Sequence, residues 1–382
     1  MLLPTMTILL FAILLALFFG YPALVYILSN LRGRRIPIAK YLPSVSIVVP
    51  CYNSREHVDV KVSDLLSLDY PKEKLQVIFV DSGSIDGTAE TLREYERAGS
   101  IKLVRQEARL GKPAAINAGL KVAGEEIVVL TDVDAKVQAD ALRNLAKSFA
   151  DPDVGAAVGN VALKSGRSLV SKMNSFFYQF FRERVRRWES SVDSASFFSG
   201  ELMAFRKDLL DKVDDDAVSD DFHILLKLRK RGYRCVSAEQ AFVSEMDVET
   251  VSGQISHKRR TIAGSLQVFS RDRDAFFNRK LGLFGLLIFP AYFARMIIAP
   301  IILLALEVLV FLQLLFWNVF SWLLVWVGLL LIALLVFSLI SSRLRGFMLG
   351  LLYAFVVQLA ALSGIWDYLT GNYSVLWKRK GR

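Results

Sequence analysis

Cysteine is scarce in this sequence of 382 residues, and neither internal repeats nor low-complexity segments occur in it. Its two cysteines, Cys51 and Cys235, lie in apolar stretches that resemble β-strands. Two isolated thiols exclude the disulfide framework of a small secreted domain. We therefore expect buried free thiols and a reducing compartment.

A basic stripe for nucleic acid is also missing, although the net charge is +10. The region between the apolar segments has no basic run interleaved with exposed aromatic residues, so we expect no nucleic-acid partner. Much of the positive charge instead flanks the apolar segments, at Arg32, Arg34, Arg35 and Lys40 and at Lys378, Arg379, Lys380 and Arg382. Basic flanks of this kind are typical of the cytoplasmic side of membrane proteins.

Charge is absent from residues 6–28, and about 20 apolar residues are enough to cross a bilayer. The segment has no charged leader and no small-residue cleavage site, so it predicts a membrane anchor rather than a signal peptide. Apolar character returns at residue 281. Residues 281–296 predict a helix in the membrane interface, and three further segments predict spans, at 297–317, 322–340 and 347–366.

The basic link at 341–345 and the basic tail both predict an inside location, which a single span between them does not allow. More crossings within residues 281–317, a re-entrant last segment or a tail that breaks the rule would each resolve this conflict. The number of spans therefore stays open by one.

Strand and helix patterns alternate in the intervening region. Short β-branched runs at 44–49, 75–80 and 126–130 predict strands, and residues 88–98 and 114–122 predict helices. This alternation predicts an α/β domain with a parallel sheet and helices on both faces. Ligands of such sheets bind at the carboxyl ends of the strands, so the polar residues that end these strands are the first candidates.

Asp132 and Asp134 directly follow the third predicted strand. Carboxylate oxygens suit Mg²⁺ or Mn²⁺, and these ions suit diphosphate oxygens. A solvated turn is the alternative for two carboxylates in a loop.

Asp81 ends the second predicted strand, and it either belongs to an ordinary turn or accepts hydrogen bonds from a nucleotide base. Pro50, Tyr52 and Asn53 end the first strand and would offer backbone groups to the same ligand. Lys112 opens a helix after a glycine, where it would pair with phosphate or simply cap a surface helix.

Asp220 and Asp221 precede an apolar helix. They are either first-turn acids that match the helix dipole, or they include the general base that a sugar transfer needs. The basic cluster that includes His257, Arg259 and Arg260 is either a membrane-surface anchor or a clamp for a departing diphosphate.

Taken together, these segments resemble glycosyltransferase family 2, in its membrane-bound branch. Four segments are similar to family motifs in the same order, over residues 45–53, 80–88, 110–120 and 131–135. Two further segments are similar to the family's acceptor-side F-F-x-G and its T-E-D, at 197–200 and 219–221.

The resemblance implies a Rossmann-like GT-A fold, a nucleotide diphosphate sugar donor, a divalent Mg²⁺ or Mn²⁺ ion and inversion at the anomeric carbon. By position, Asp81 would contact the base and Lys112 the phosphates, while Asp132 and Asp134 would hold diphosphate and metal. Asp221 would be the catalytic base, with Asp220 beside it. The donor side would further include Pro50, Tyr52, Asn53, Arg259 and Arg260, and the acceptor side Phe198, Gly200 and His257.

Two departures from the family pattern bear on the substrate. Ser82 replaces the second acid of the D-D-G-S motif, so base recognition differs. The Q-x-x-R-W motif of processive members is absent, because Thr261 follows Arg260 and His257 stands three residues before it. The tryptophan that would stack on an acceptor sugar is therefore missing.

We therefore expect a transferase that adds one or a few sugars, with a UDP-sugar favoured, to a lipid or glycan acceptor at the membrane. A processive polysaccharide synthase and a catalytically silent scaffold are the alternatives. We expect a multi-pass protein of the plasma membrane with a cytoplasmic catalytic domain, and the sequence leaves its oligomeric state open. The predicted anchor, catalytic domain, interfacial linker, transmembrane helices and basic tail cover residues 1–31, 43–264, 265–296, 297–369 and 370–382.

Overall fold

The computed structural model describes residues 2–34, 41–164, 171–172, 174–175, 182–248, 250–316, 327 and 342–376. The predicted span at 322–340 and the basic residues Arg35, Lys40 and 378–382 lie outside the described residues, apart from residue 327.

A mixed eight-stranded sheet forms the centre of the described part of the chain. Its spatial order is β3-β2-β1-β4-β7-β6-β8-β5. In chain order the strands are β1 (Val45–Cys51), β2 (Leu75–Ser82), β3 (Lys102–Gln106), β4 (Ile127–Leu130), β5 (Lys136–Val137), β6 (Val154–Lys164), β7 (Met203–Arg206) and β8 (Arg234–Met246).

Strands β1 to β4 run parallel, as the sequence predicts. The β-branched and apolar side chains of the central strands β1 and β4 are buried on both faces of the sheet, which is the pattern of a parallel sheet covered on both sides, whereas the edge strand β3 is partly exposed. The parallel register sets Cys51 opposite Asp81 and Val48 opposite Leu130. The carboxyl ends of β1, β2 and β4 therefore meet at one edge.

The rest of the sheet departs in part from the predicted parallel arrangement, since β6 and β8 run parallel but β5 and β7 are antiparallel to their neighbours. Strand β7 pairs antiparallel with both β4 and β6. The chain reaches β7 through Gly200, which lies beside Asp132 at the carboxyl end of β4. A strand that starts at the edge where its neighbour ends must run antiparallel to that neighbour.

Helices cover both faces of the sheet. Helices α1 (Leu2–Leu15) and α2 (Tyr21–Arg32) precede it, and α3 (Arg55–Leu66), α4 (Thr88–Arg97), α5 (Lys112–Val122), α6 (Ala141–Ala146), α7 (Arg184–Val192), α8 (Asp220–Lys230) and α9 (Val251–Arg271) follow in chain order. Single 3₁₀ turns occupy Lys72–Lys74, Lys147–Ala150, Lys207–Leu209, Arg273–Ala275 and Arg279–Leu281. Helix α5 packs closely on the sheet, since a methyl group at Gly119 would lie 2.4 Å from Cγ1 of Val48.

Two helical stretches in the described residues are long and apolar enough to cross a membrane, Leu3–Arg32 and Phe284–Leu315. The first consists of α1, a π-helical turn at Ala16–Gly20 and α2. The second consists of π-helical turns at Phe284–Ile288 and Ala294–Ile298 with α10 (Phe289–Phe293) and α11 (Ala299–Phe316). The predicted boundary between linker and span, at residue 296, falls inside this helical stretch. Pro290 does not interrupt the stretch, because it sits in the first turn of α10, where proline is tolerated.

The predicted domain end at residue 264 likewise falls inside a helix, α9. Helix α12 (Ser342–Thr370) contains the predicted last span and packs along α9. A methyl group at Gly364 of α12 would lie 2.6 Å from the carbonyl oxygen of Arg259. This close approach joins α9, which precedes the apolar stretch, to α12.

Candidate active site

The carboxyl edge of β1 and β2 carries a buried carboxylate. Asp81 is fully buried, and its Oδ1 has no hydrogen-bond partner in the described part of the chain. Its Oδ2 accepts a long hydrogen bond from the backbone N–H of Ser84, at 3.4 Å, and lies 4.0 Å from Nε of Arg105. A buried acceptor without a donor costs about 1–3 kcal/mol, so this atom is suited to a ligand N–H.

The end of β1 is held against the turn after β2. Asn53 takes a left-handed conformation with φ 47°. Its backbone N–H donates to the hydroxyl of Ser84 at 2.8 Å, and its side-chain oxygen accepts from the backbone N–H of Ile85 at 3.0 Å. Beside it, the guanidinium of Arg109 lies 4.1 Å from the ring centroid of Tyr52. Pro50 pairs in register with Val80, so the predicted base-binding residues do meet at one place.

A cationic centre lies at the carboxyl end of β4. Lys112 Nζ lies 2.7 Å from Asp132 Oδ1 and 3.7 Å from Asp220 Oδ2. Burial by itself would lower the pKa of Lys112, but the carboxylates of Asp132 and Asp220 outweigh it and raise the pKa above its ordinary value. The lysine therefore stays charged in a half-enclosed position, which suits a phosphate partner.

Asp132 and Asp134 form the predicted metal pair. Burial raises the pKa of Asp132; the ammonium of Lys112 opposes this rise and the charge of Asp134 adds to it. No cluster of three or more His, Cys, Asp or Glu side chains that could hold a metal occurs in the described residues. Two carboxylates fit Mg²⁺ or Mn²⁺ in the way these ions bind nucleotides, with substrate phosphate and water as the other ligands.

Asp221 lies in the first turn of α8 next to Asp220. Its Oδ1 accepts hydrogen bonds from the hydroxyl of Ser219, at 2.9 Å, and from the backbone N–H of Phe222, at 2.8 Å. Burial raises the pKa of Asp221 to about 6, and the charge of Asp220 contributes to the rise. A carboxylate with this pKa is a stronger base than an ordinary aspartate and is still ionised at neutral pH.

The acceptor-side candidates divide into two groups. A methyl group at Gly200 would lie 2.7 Å from Lys112 Nζ, so Gly200 borders the cationic centre. Phe198 instead has its ring in the hydrophobic core, and His257 is exposed on α9. Phe198 can therefore offer a substrate only its backbone.

The two arginines of α9 point in different directions. Arg259 forms an ion pair with Asp367 of α12. Arg260 Nη2 contacts the carbonyl oxygen of Val218 at 3.4 Å, immediately before Ser219 and the two aspartates. The structure therefore brings Arg260, and not Arg259, to the side of the site where Asp221 lies.

Sequence reasoning missed a buried lysine beneath the metal pair. Lys61 is 1% exposed and donates hydrogen bonds to the hydroxyl of Thr131, at 2.9 Å, and to the carbonyl oxygen of Ala135, at 2.6 Å. Burial lowers the pKa of Lys61 to about 8. A signal existed, because Lys61 stands on the apolar face of α3 at helical spacing from Val58 and Leu65.

Glu201 was missed as well. Its backbone oxygen accepts from the Thr131 hydroxyl at 2.7 Å, and its side-chain Oε2 has no hydrogen-bond partner among the described residues. Burial, followed by the charge of Asp132, raises the pKa of Glu201. The carboxyl group of Glu201 therefore lies close to Asp132 and Lys112, but no motif in the sequence indicates it.

Comparison with known sequences supports the resemblance. Residues 46–214 match the family model of Glycosyl transferase family 2. The poly-beta-1,6-N-acetyl-D-glucosamine synthase of Staphylococcus epidermidis is 29% identical over 232 residues, which is 60% of this chain and 56% of that protein. The synthase of the same name from Staphylococcus aureus strain COL is 28% identical over 235 residues, or 60% of this chain and 57% of that protein. The chain thus matches little more than half the length of these relatives.

A solved structure is similar along nearly the whole chain. It is a mannosyltransferase from Pyrobaculum calidifontis in complex with GDP-Man and Mn²⁺. The TM-score is 0.73 at 25% sequence identity, and the match covers 96% of this chain and 99% of that one. The predicted GT-A fold is thereby confirmed.

Proposed function

We propose that the protein, whose residues 46–214 match the family model of Glycosyl transferase family 2, transfers a sugar from a nucleotide diphosphate to a membrane-associated acceptor with inversion. The observation that carries the proposal is the cluster of Lys112, Asp132 and Asp220 at the edge that also holds the unsatisfied Asp81 oxygen. A diphosphate at Lys112 with its base toward Asp81 would use both features.

In this proposal the donor is held by three groups of residues. Asp81 accepts a hydrogen bond from the base, and Tyr52 and Asn53 border it. Lys112 neutralises the diphosphate, and Asp132 and Asp134 would hold Mg²⁺ or Mn²⁺. The bound metal would supply positive charge to the diphosphate as it leaves. Lys112 supplies charge of the same sign from the protein.

Asp221 is the proposed general base. The acceptor hydroxyl attacks the anomeric carbon of the donor as Asp221 takes its proton. A bond forms between the acceptor oxygen and this carbon, and the bond from the carbon to the diphosphate oxygen breaks. The nucleotide diphosphate leaves with the electron pair, and attack from the opposite face inverts the anomeric configuration. Arg260 stands close enough to the Asp221 turn to contribute charge there.

The membrane assignment rests on the two apolar helices Leu3–Arg32 and Phe284–Leu315. We propose that both cross the plasma membrane in a multi-pass arrangement and that the sheet domain is cytoplasmic, because basic residues flank the first of them. The acceptor would then be a lipid-linked or glycan hydroxyl at the membrane surface.

The two groups of similar proteins favour different substrates. The solved mannosyltransferase, which is similar over its full length, carries a GDP-sugar. The curated relatives are named for a polymer of N-acetylglucosamine. We keep a UDP-sugar as the favoured donor. We favour addition of one or a few residues, because Thr261 follows Arg260 where processive members have tryptophan. Polymer synthesis is the second candidate, and a ladder of long products on a defined acceptor would favour it.

The test is sugar-nucleotide turnover by the purified full chain in nanodiscs with membrane lipids supplied as acceptors. A panel of UDP-, GDP- and TDP-sugars is supplied with Mn²⁺ or Mg²⁺, and release of nucleotide diphosphate is measured. Asp221→Asn should reduce the rate by about 10²–10⁴-fold, the range expected for loss of a general base.

Asp211→Asn is the matched control, because Asp211 is highly exposed and lies outside the site. Its rate should equal that of the wild type. Equal rates in wild type and Asp221→Asn would remove Asp221 as the base. Release from none of the donors would contradict the transferase itself and favour a silent scaffold.

A further inference from the structure

A crevice of about 600 Å³ opens between the end of α2 and helix α7. Tyr26 and the chain around Arg34 form one wall, and Arg184, Arg187 and Trp188 form the other. None of its lining residues belongs to the donor site described above. Its place at the end of an apolar helix distinguishes it from that site.

Packing between α2 and α7 holds the two walls at a fixed distance. The rings of Tyr26 and Trp188 lie 5.0 Å apart between centroids, in a tilted arrangement. Beyond the end of α2, the backbone N–H of Arg34 donates to the carbonyl oxygen of Ser191 at 2.8 Å. The chain that leaves the apolar helix is therefore fixed to the end of α7.

The charge of the crevice is strongly positive. Among the described residues, three arginines line it, Arg34, Arg184 and Arg187, together with a single acid, Glu239. Arg187 lies 3.7 Å from Glu239, and Arg34 lies 3.9 Å from Asp153 outside the crevice. Exposed ion pairs of this length contribute at most about 1 kcal/mol, so they leave the site available to a stronger anion.

Guanidinium groups bind phosphate through two parallel hydrogen bonds. Tyrosine and tryptophan collect where membrane meets water, because one part of each ring system is apolar and another is polar. Both features occur together where the apolar helix Leu3–Arg32 ends. We propose that this crevice binds the phosphate headgroup of an anionic phospholipid.

The proposal rests on the proposed membrane span but not on the transferase chemistry. An anionic lipid bound here would join the end of the first span to α7, which continues toward the Gly200 segment. The two proposals fail separately, because lipid binding is measured without any sugar donor.

The test uses native mass spectrometry of the delipidated full chain in detergent. The chain is titrated with dihexanoyl phosphatidylglycerol, with dihexanoyl phosphatidylcholine and with inorganic phosphate. We expect the first phosphatidylglycerol molecule to bind roughly tenfold or more tightly than phosphatidylcholine, as expected for basic residues at a membrane surface. Arg184→Gln/Arg187→Gln should remove this preference.

Arg93→Gln/Arg97→Gln on α4 is the matched control. It removes the same number of positive charges as the test variant. Arg93 is half-exposed and pairs with Glu90, and Arg97 is exposed. The control should keep the preference for phosphatidylglycerol. Equal affinity for the two lipids, or an unchanged preference in Arg184→Gln/Arg187→Gln, would overturn the proposal. Inorganic phosphate that binds as tightly as phosphatidylglycerol would assign the site to free phosphate instead.

Discussion

At the scale of single residues, Asp220 and Asp221 are adjacent acids with different surroundings. Asp220 is buried and faces the ammonium of Lys112, whereas Asp221 is stabilised by one hydroxyl and one backbone N–H. Neighbouring titratable groups in different environments can take different roles. Here the group near the cation remains a charge partner, and its neighbour is available to take a proton.

The raised pKa of Asp221 predicts the pH dependence of the reaction. Since the base must be ionised, kcat/KM should fall as the pH drops through about 6 and should be level above it. The Asp220 charge is one cause of the rise, so Asp220→Asn should move this acid limb to lower pH. A pH profile of both proteins measures the shift. A limb that stays in place, or moves upward, would contradict the assignment.

At the scale of elements, α3 supports the turn between β4 and β5 from below. Lys61 reaches from α3 to Thr131 and Ala135, the residues on either side of the predicted metal pair. The Thr131 hydroxyl then continues the chain of hydrogen bonds to the backbone of Glu201, just before β7. Hydrogen bonds that start at the Lys61 ammonium therefore connect α3, the turn between β4 and β5, and the start of β7.

This arrangement predicts that Lys61 positions the metal pair without touching a ligand. Lys61→Met should weaken Mn²⁺ binding by about 10–100-fold, the range for loss of an outer-shell partner. Electron paramagnetic resonance of free Mn²⁺ measures this affinity without relying on turnover. Lys61→Arg should restore part of it, because arginine retains the charge and the donors.

Lys121→Met on the exposed side of α5 provides the control for loss of a lysine. Its Mn²⁺ affinity should match the wild type. A folded Lys61→Met protein with wild-type Mn²⁺ affinity would show that the lysine has only a structural role.

At the scale of the whole molecule, α9 connects the catalytic domain to α12. Arg260 faces the turn before Asp221, and Arg259 pairs with Asp367 on α12. Ser270 and Tyr368 share a further hydrogen bond between the same two helices. The position of α12 is therefore linked to the acceptor side of the site through one helix.

The close contact of α9 and α12 predicts the effect of adding a methyl group. Gly364→Ala would place a carbon 2.6 Å from the Arg259 carbonyl oxygen and 2.7 Å from Cβ of Ile262, so the helices must separate. Overpacking of this kind costs about 1–3 kcal/mol, which exceeds the helix propensity of about 1 kcal/mol that alanine adds. Scanning fluorimetry in detergent should therefore record a lower Tm.

Gly124→Ala is the control, because no atom lies within 4 Å of the added carbon. Its Tm should not fall. An unchanged Tm in Gly364→Ala would indicate that α12 does not rest on α9 in the folded protein.

The local sequence was sufficient for part of the fold and site. Runs such as 44–49 and 75–80 are β-branched and apolar over the length of one strand, so they predict β1 and β2 within two residues at either end. Since parallel strands align their carboxyl ends, the sequence predicts Asp81 and Asp132 at one edge.

Other features depend on contacts between residues far apart in the chain. The antiparallel direction of β7 follows from where the preceding segment lies, and a four-residue strand carries no signal of direction. Arg259 and Arg260 are adjacent arginines, so the sequence does not show which of them faces the site. Only the packing of α12 on one side of α9 directs Arg259 to Asp367 and leaves Arg260 beside Val218.

The sequence by itself determined the strands β1, β2 and β4, the helices α4 and α5 between them, the apolar segments and the residue types at the strand ends, because each depends on a short stretch of chain. The tertiary structure decided which of these residues touch. Lys112 meets Asp132 and Asp220, and Lys61 lies beneath Thr131, because separate elements converge on one edge of the sheet. Such contacts arise from packing, which no single stretch of the chain encodes.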